Sequence, residues 1–302
     1  MGQPIPARER PRGAVRAGLG WIAPRLAAVG LIAVASWRPG AAAERLPVFD
    51  THVHYGREAW APYGPAAIFA KLDAAFVPRA LVSSTPDDGT LMLHEHDPQR
   101  IVPILRPYRD LADMGGWFRD EQVLEYVVRR LERGIYRGIG EFHLRDEGAA
   151  ATPQMRRLVR LAMDRGIVLH VHSGAGPVRA LFALEPDLKI LWAHAGMSEP
   201  PEVVGALLDR HPRLWTEVSF RAGDIAPGGR LDPAWRDLFL RHPDRFMIGT
   251  DTYVTRRWEV YGALVEEHRR WLAQLPRAVA TAIAYGNAAR EFGAGKPEIS
   301  PD

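Results

Sequence analysis

Eight short apolar segments, each followed by a stretch of helical character, most narrow what this chain can fold into. They cover residues 46–54, 79–85, 101–108, 136–144, 167–174, 189–196, 213–220 and 245–251. In the connecting stretch 120–134, Val123, Val127, Val128 and Leu131 recur at helical spacing. Residues 152–166 open on Thr152 and Pro153 and stop at Gly166, a helix with both its boundary signals. Residues 198–212 and 232–244 have the same character, and only 86–100 is cramped, with room for one short helix. Strands alternating with helices over about 250 residues predict an α/β fold, a (β/α)8 TIM barrel with its working face at the C-terminal strand ends. A doubly wound open sheet is the rival, but no glycine-rich phosphate loop follows the first strand.

The first 43 residues stand apart from this pattern. Five arginines within residues 1–25 precede the uncharged run 26–37, and Ala41-x-Ala43 follows just before Glu44. That order of basic region, apolar region and small-residue site predicts a signal peptide cleaved after Ala43, leaving residues 44–302 as a single domain. Arg25 and Arg38 bracket the run too tightly for the ~20 apolar residues of a spanning helix, so no stable membrane anchor is expected after cleavage. Six arginines against one glutamate in the leader turn the whole chain's +3 into −2 for residues 44–302, and the basic pI belongs to the leader. Nucleic acid is therefore not an expected partner. With no cysteine in the chain, disulfides and thiolate ligands are excluded, and any metal must be held by histidine and carboxylate.

Polar residues collect where the strands end. "FDTHVHYG" places His52 and His54 two apart, on one face of a strand. Strand four closes with Glu141 and then His143, strand five with His170 and His172, strand six with His194 and strand eight with Asp251. A core strand has no packing reason to finish on an ionisable group, and burying unpaired imidazoles is costly. Five strands doing so, all in metal-ligand residue types, point to a divalent cation: Zn²⁺ first for a nitrogen–oxygen set, one or two ions, with Mn²⁺, Co²⁺, Fe²⁺ or Ni²⁺ as the other candidates. A second HxH, "LHEHD" at 93–97, sits in a charged connector and reads as surface.

The phrases "FDTHVHYG", "HVHSG", "LWAHAGMS" and "IGTDTYV", closed by "AIAYGNAAREFG" at 282–293, resemble the amidohydrolase-related branch of the amidohydrolase superfamily. The resemblance spans about residues 46–293 and implies ligand roles. His52, His54 and Asp251 would bind a first metal. His172 and His194 would bind a second, with Glu141 bridging. His172 is preferred over the deeper His170, since that branch places its ligand just before a small residue and glycine. Asp251 would also take the proton of the attacking water.

For substrate, the strand-end positions of Arg106 and Arg221 and the neighbourhood of His143 make these three the candidates. The expected activity is hydrolysis of a small ester, lactone, amide or related bond by metal-activated water. Two rivals stay open: a metal-dependent decarboxylase of the same branch, and a non-catalytic periplasmic metal- or ligand-binding protein. A small-molecule substrate, export to the periplasm or medium, and a homo-oligomer compatible with the fold complete the expectations.

Overall fold

The computed structural model describes residues 45–293. The expected leader and cleavage after Ala43 lie outside the described residues.

All eight expected strands form: β1 (Phe49–Val53), β2 (Arg79–Val82), β3 (Ile101–Pro103), β4 (Gly138–His143), β5 (Val168–His172), β6 (Ile190–Trp192), β7 (Leu214–Glu217) and β8 (Phe246–Met247). They run parallel in two sets, β1-β2-β3 and β4 through β8. Two bridges join the sets into a closed barrel, Leu105 to Ile139 between β3 and β4, and Asp50 to Ile248 between β1 and β8. The Thr51 amide donates to the Ile248 carbonyl at 2.8 Å across the second seam. The chain is thus a TIM barrel, and the open-sheet alternative falls away because no free edge remains between β8 and β1.

Helices fill the connections where the sequence signals put them. The helix Glu121–Leu131 is capped by Asp120, whose side chain accepts from the Gln122 amide. Pro153–Arg165 begins under a Thr152 cap and ends at Gly166 in the left-handed conformation. Pro201–Arg210 and Pro233–Arg241 follow, and the cramped connector holds the nine-residue helix Asp88–His96. Within it His96 is exposed and His94 half-buried, its Nδ1 on the Ile101 carbonyl, with no part in the strand-end cluster.

Alternation along the strands divides the molecule into two apolar layers. Leu169, Val171, Leu214 and Phe246 face the helices. Phe49, Leu81, Val102, Val168, Leu191 and Met247 point inward and fill the barrel floor, closed from below by Ala288 and Phe292. Those last two belong to the helix Asn287–Phe292, the closing segment of the chain. In β1 the register shifts between Asp50 and Val53. Phe49 on the floor and His52 above it therefore both face inward despite their odd spacing, and His54 follows His52 to the same side. The polar layer begins directly above this floor.

Candidate active site at the strand ends

Ionisable side chains collect on the inward side above the floor. His52 rises from β1 and His54 from the residue just past its end, Glu141 from β4, His170 and His172 from β5, and Glu217 from β7. His194 and Asp251 depart from expectation: β6 stops at Trp192 and β8 at Met247, so neither residue lies on its strand. Both sit in left-handed turns, at φ 56° and 49°. A side chain at such a φ is strained. The Asp251 turn is tied back by its amide donating to the His52 carbonyl at 2.6 Å.

The ring nitrogens sort into two sets. His52 Nδ1–H donates to Glu217 Oε1 at 3.0 Å, His54 Nδ1–H to the Ser83 carbonyl, and His194 Nδ1–H to Ser219 Oγ at 2.7 Å. Three outward Nδ1 donors leave three inward Nε2 lone pairs. His52 and His54 bring theirs to 3.1 Å of one another, with no proton between them in this tautomer. Asp251 Oδ1 and Glu141 Oε2 each lie within 3.6 Å of both nitrogens. Asp251 Oδ1 is buried and has no hydrogen-bond partner among the described residues. A neighbouring set consists of Glu141 Oε1, His172 Nδ1 and His194 Nε2, separated by 2.5, 3.2 and 3.5 Å.

Charge points the same way as geometry. Glu141, Glu217 and Asp251 are buried carboxylates, opposed by one guanidinium: Arg106 donates from Nε to the Glu141 carbonyl at 3.0 Å and from Nη2 to Glu141 Oε2 at 2.9 Å. With neutral imidazoles the cluster is two positive charges short of balance, the charge of one divalent cation. Burial would lower the His52 pKa, yet Asp251, Glu141 and Glu217 together raise it well above its ordinary value. Burial would likewise raise the Asp251 carboxyl, but the His52 and His54 imidazoles hold it at about 2. Convergent imidazole lone pairs, an orphaned buried carboxylate oxygen and a charge deficit are what a divalent cation satisfies, and the residues fit one.

A cavity of about 900 Å³ opens above the cluster, lined by Arg106, Glu141, His143, His172, His194 and Asp251 and by loop residues from around the barrel mouth. His143 stands on its wall, its ring 4.1 Å from His172. The Tyr108 hydroxyl accepts from the His143 amide at 2.8 Å and lies 3.0 Å from His143 Nδ1, so its proton goes to that nitrogen and Nε2–H is left free. Burial holds the His143 ring neutral, its pKa lowered to about 3. His170 lies one layer deeper, against His52 at 4.6 Å between ring centroids.

Arg221 requires correction as a substrate contact. It does not line the cavity, and its guanidinium donates to the carbonyls of His194 at 3.1 Å, Ala195 at 2.9 Å and Glu199 at 2.8 Å, and to Asp224 at 2.8 Å. All of its hydrogen-bonding nitrogens are engaged by the chain itself. Arg106 does line the cavity, but two of its donors are committed to Glu141. Glu217 has the opposite history, since its strand phase is ambiguous in sequence. It proves to be the fully buried acceptor that orients His52 directly and His194 through Ser219, whose hydroxyl donates to Glu217 Oε1 at 3.1 Å. The alternation of Leu214, Thr216 and Val218 outward against Trp215 and Glu217 inward was the available signal.

The amidohydrolase family model matches residues 100–294, which takes in β3 through the closing helix. The chain belongs to the amidohydrolase family. As an amidohydrolase-like enzyme it works in a family that acts on small molecules. No match was found among the curated proteins. Among solved structures the chain is similar to a probable 2-pyrone-4,6-dicarboxylic acid hydrolase of Acinetobacter baumannii, at 14% identity and TM-score 0.58, covering 82% of this chain and 100% of that one. It is also similar to a manganese-bound 5-carboxyvanillate decarboxylase of Novosphingobium aromaticivorans, at 12% identity and TM-score 0.55, covering 82% and 97%. A TatD homologue of Escherichia coli aligns at 15% identity and TM-score 0.52, covering 82% and 98%. At these identities the likeness carries the barrel and not the reaction.

Proposed function

We propose that this amidohydrolase is a metal-dependent hydrolase of a small ester, lactone, amide or related bond. The observation that carries the reading is the convergence of the His52 and His54 Nε2 atoms with the partnerless Oδ1 of Asp251, under a cavity open to substrate. His52, His54, Glu141 and Asp251 would hold one ion, and His172 and His194, with Glu141 shared, a second. Zn²⁺ suits this nitrogen–oxygen set first, ahead of Mn²⁺, Co²⁺, Fe²⁺ and Ni²⁺. A divalent ion here supplies Lewis-acid polarisation of the scissile carbonyl and lowers the pKa of the attacking water.

The chain's own residues do the rest. Asp251, ionised across the neutral range, accepts the water's proton at Oδ2, the oxygen not given to the ion, and returns it to the leaving group. Glu217 keeps the His52 ring in one tautomer and one orientation. His143 offers a neutral Nε2–H to a substrate oxygen from the cavity wall. Arg106 holds Glu141 in place.

The test is metal content by elemental analysis, followed by turnover of an ester and lactone panel by wild type, His52→Ala/His54→Ala and Asp251→Asn. One or two equivalents of metal in the wild type, less in the double variant, and hydrolysis abolished by Asp251→Asn are expected. Failure to take up Zn²⁺ or Mn²⁺ would remove the metal site. Release of CO₂ from aromatic acids, with every ester and lactone untouched, would replace the hydrolase by a decarboxylase.

A further inference from the structure

Seven large hydrophobic side chains are exposed among the described residues, and five of them line this one cavity: Leu111, Met197, Phe220, Tyr253 and Val254. They come from the loops after β3, β6, β7 and β8, so four of the eight strand-end loops contribute. Leu111 is 60% exposed and Tyr253 57%, although both stand beside a buried core that takes up most other residues of their kind. Exposed apolar side chains scattered singly need no explanation, but a cluster rimming a concave site marks a binding surface. Phe220 and Met197 hold their places at positive φ, 62° and 66°, which costs backbone energy that solvent exposure does not return. The Phe220 ring lies 6.1 Å from Tyr253 and 5.6 Å from His194, so the apolar wall runs continuously from the outer rim to the ligand cluster.

Charge on the same rim is balanced. Arg256 and Glu58 line the cavity as one free cation and one free anion, and the third charged lining residue outside the cluster, Arg106, is already committed to Glu141. A di- or tricarboxylate would find no uncommitted pair of guanidinium groups to bind it.

We infer that the substrate is an uncharged ester or lactone with a bulky apolar substituent, which lies along the Leu111–Met197–Phe220–Tyr253–Val254 wall while its carbonyl reaches the histidine cluster. This rests on the hydrolase reading for the bond that is cut, but not for the surface that selects it. Each methylene covered by the wall is worth roughly a fourfold gain in binding. With about half of an octyl chain's extra length covered, an octyl substituent should bind roughly 30- to 60-fold more tightly than an ethyl one.

The experiment is calorimetric titration of the metal-loaded protein with 3-ethyl- and 3-octylcyclopentanone, carbocyclic analogues with no scissile bond, alongside turnover of the matching 5-alkyl-γ-lactones. The measurement is repeated on Leu111→Ser/Tyr253→Ser, two rim substitutions that leave every residue of the ligand cluster in place. The octyl preference is expected in the wild type and should fall below about fivefold in the double variant, chiefly through weaker binding of the octyl ketone. A flat wild-type preference overturns the inference, even if short lactones are hydrolysed. A preference that survives the double substitution overturns it too, because the chain then binds elsewhere. Octyl preference lost in the variant, with no lactone or ester hydrolysed, supports the apolar substrate surface and sinks the hydrolase reading alone.

Discussion

Glu217→Gln isolates what a buried carboxylate contributes to a site it does not itself face. Glu217 Oε1 accepts from His52 Nδ1 at 3.0 Å, the His194 amide at 2.7 Å and Ser219 Oγ at 3.1 Å, and Oε2 accepts from the Ser219 amide at 2.7 Å. Every partner is a donor. Burial alone would raise this carboxyl, but the His52 and His194 imidazoles hold it well below the usual carboxylate range. Glutamine keeps the shape and must turn its NH₂ toward at least one donor. The favourable choice faces the Ser219 amide, leaving a buried N–H pair opposed at a cost of about 1–3 kcal/mol. The remaining amide oxygen accepts from His52 without the charge that raised the ring's basicity. Removing such a partner typically costs 10- to 100-fold in metal affinity, about 1.4–2.7 kcal/mol. Competition with a chromophoric chelator would read this directly, with circular dichroism to verify folding. Ser219→Ala, which breaks only the relay to His194, should lose less. Should folded Glu217→Gln bind Zn²⁺ within about twofold of wild type, the imidazole orientation does not depend on this carboxylate and the reasoning fails.

Four further outcomes follow from the same geometry. A Cβ on Gly249 would stand 2.8 Å from the His52 Cβ and collide with the Glu217 carboxylate, so Gly249→Ala should destabilise by about 1–3 kcal/mol in urea unfolding and lower metal occupancy with it. Burial raises Asp87, beside Tyr136 and Arg130, to about 6. The folded carboxyl lies above its unfolded value, so the stabilisation from its neutral form is present below about pH 4 and lost as pH climbs through 6. Asp87→Asn should therefore gain up to about 3 kcal/mol on wild type between pH 4 and 7, and a pH-independent difference would contradict this. Arg221→Met strands the His194, Ala195 and Glu199 carbonyls and should cost about 3 kcal/mol or more in denaturant unfolding. Finally, we propose export with cleavage after Ala43: intact-mass measurement of the chain produced in a Gram-negative host should show an N-terminus at Glu44 in the periplasmic fraction, and recovery of the whole chain in the cytoplasmic fraction alone would remove that proposal.

The barrel was legible because its periods are redundant. Eight apolar segments, the Thr152–Gly166 boundaries and the cramped connector at 86–100 each allowed only one element type, and the absence of a glycine-rich phosphate loop after the first strand then favoured closure over an open sheet. The inward pair on β1 was legible for the same reason, since any strand puts positions two apart on one side. What sequence could not show were side chains whose role depends on a turn. His194 and Asp251 read as strand ends because apolar residues lead into them, but the chain has already left the sheet and turned left-handed at both. Arg221 follows a strand as a substrate-binding arginine would, and only the folded loop shows carbonyls on every side of it. Glu217 was ambiguous because Trp215, which shares its face, is large enough to belong to either layer.

Strain in this molecule has a location, and it ties these residues together. Six non-glycine residues among those described adopt positive φ: Phe76, His194, Ala195, Met197, Phe220 and Asp251. Five of the six belong to the mouth of the barrel. His194 and Asp251 carry donors of the cluster, Met197 and Phe220 form the apolar wall, and Ala195 lies between two of these. A left-handed L-residue persists only where its surroundings over-determine it, and the restraints are visible. Arg221 grips the carbonyls of His194 and Ala195, the Asp251 amide is tied to His52, and Arg257 donates to the Thr250 carbonyl at 2.6 Å while its guanidinium covers the Phe220 ring at 4.2 Å. Arg221 and Arg257 thus act on the substrate side of the molecule without touching what binds there. These two arginines serve the geometry of the site, and the apolar side chains they hold in place are left to meet the substrate.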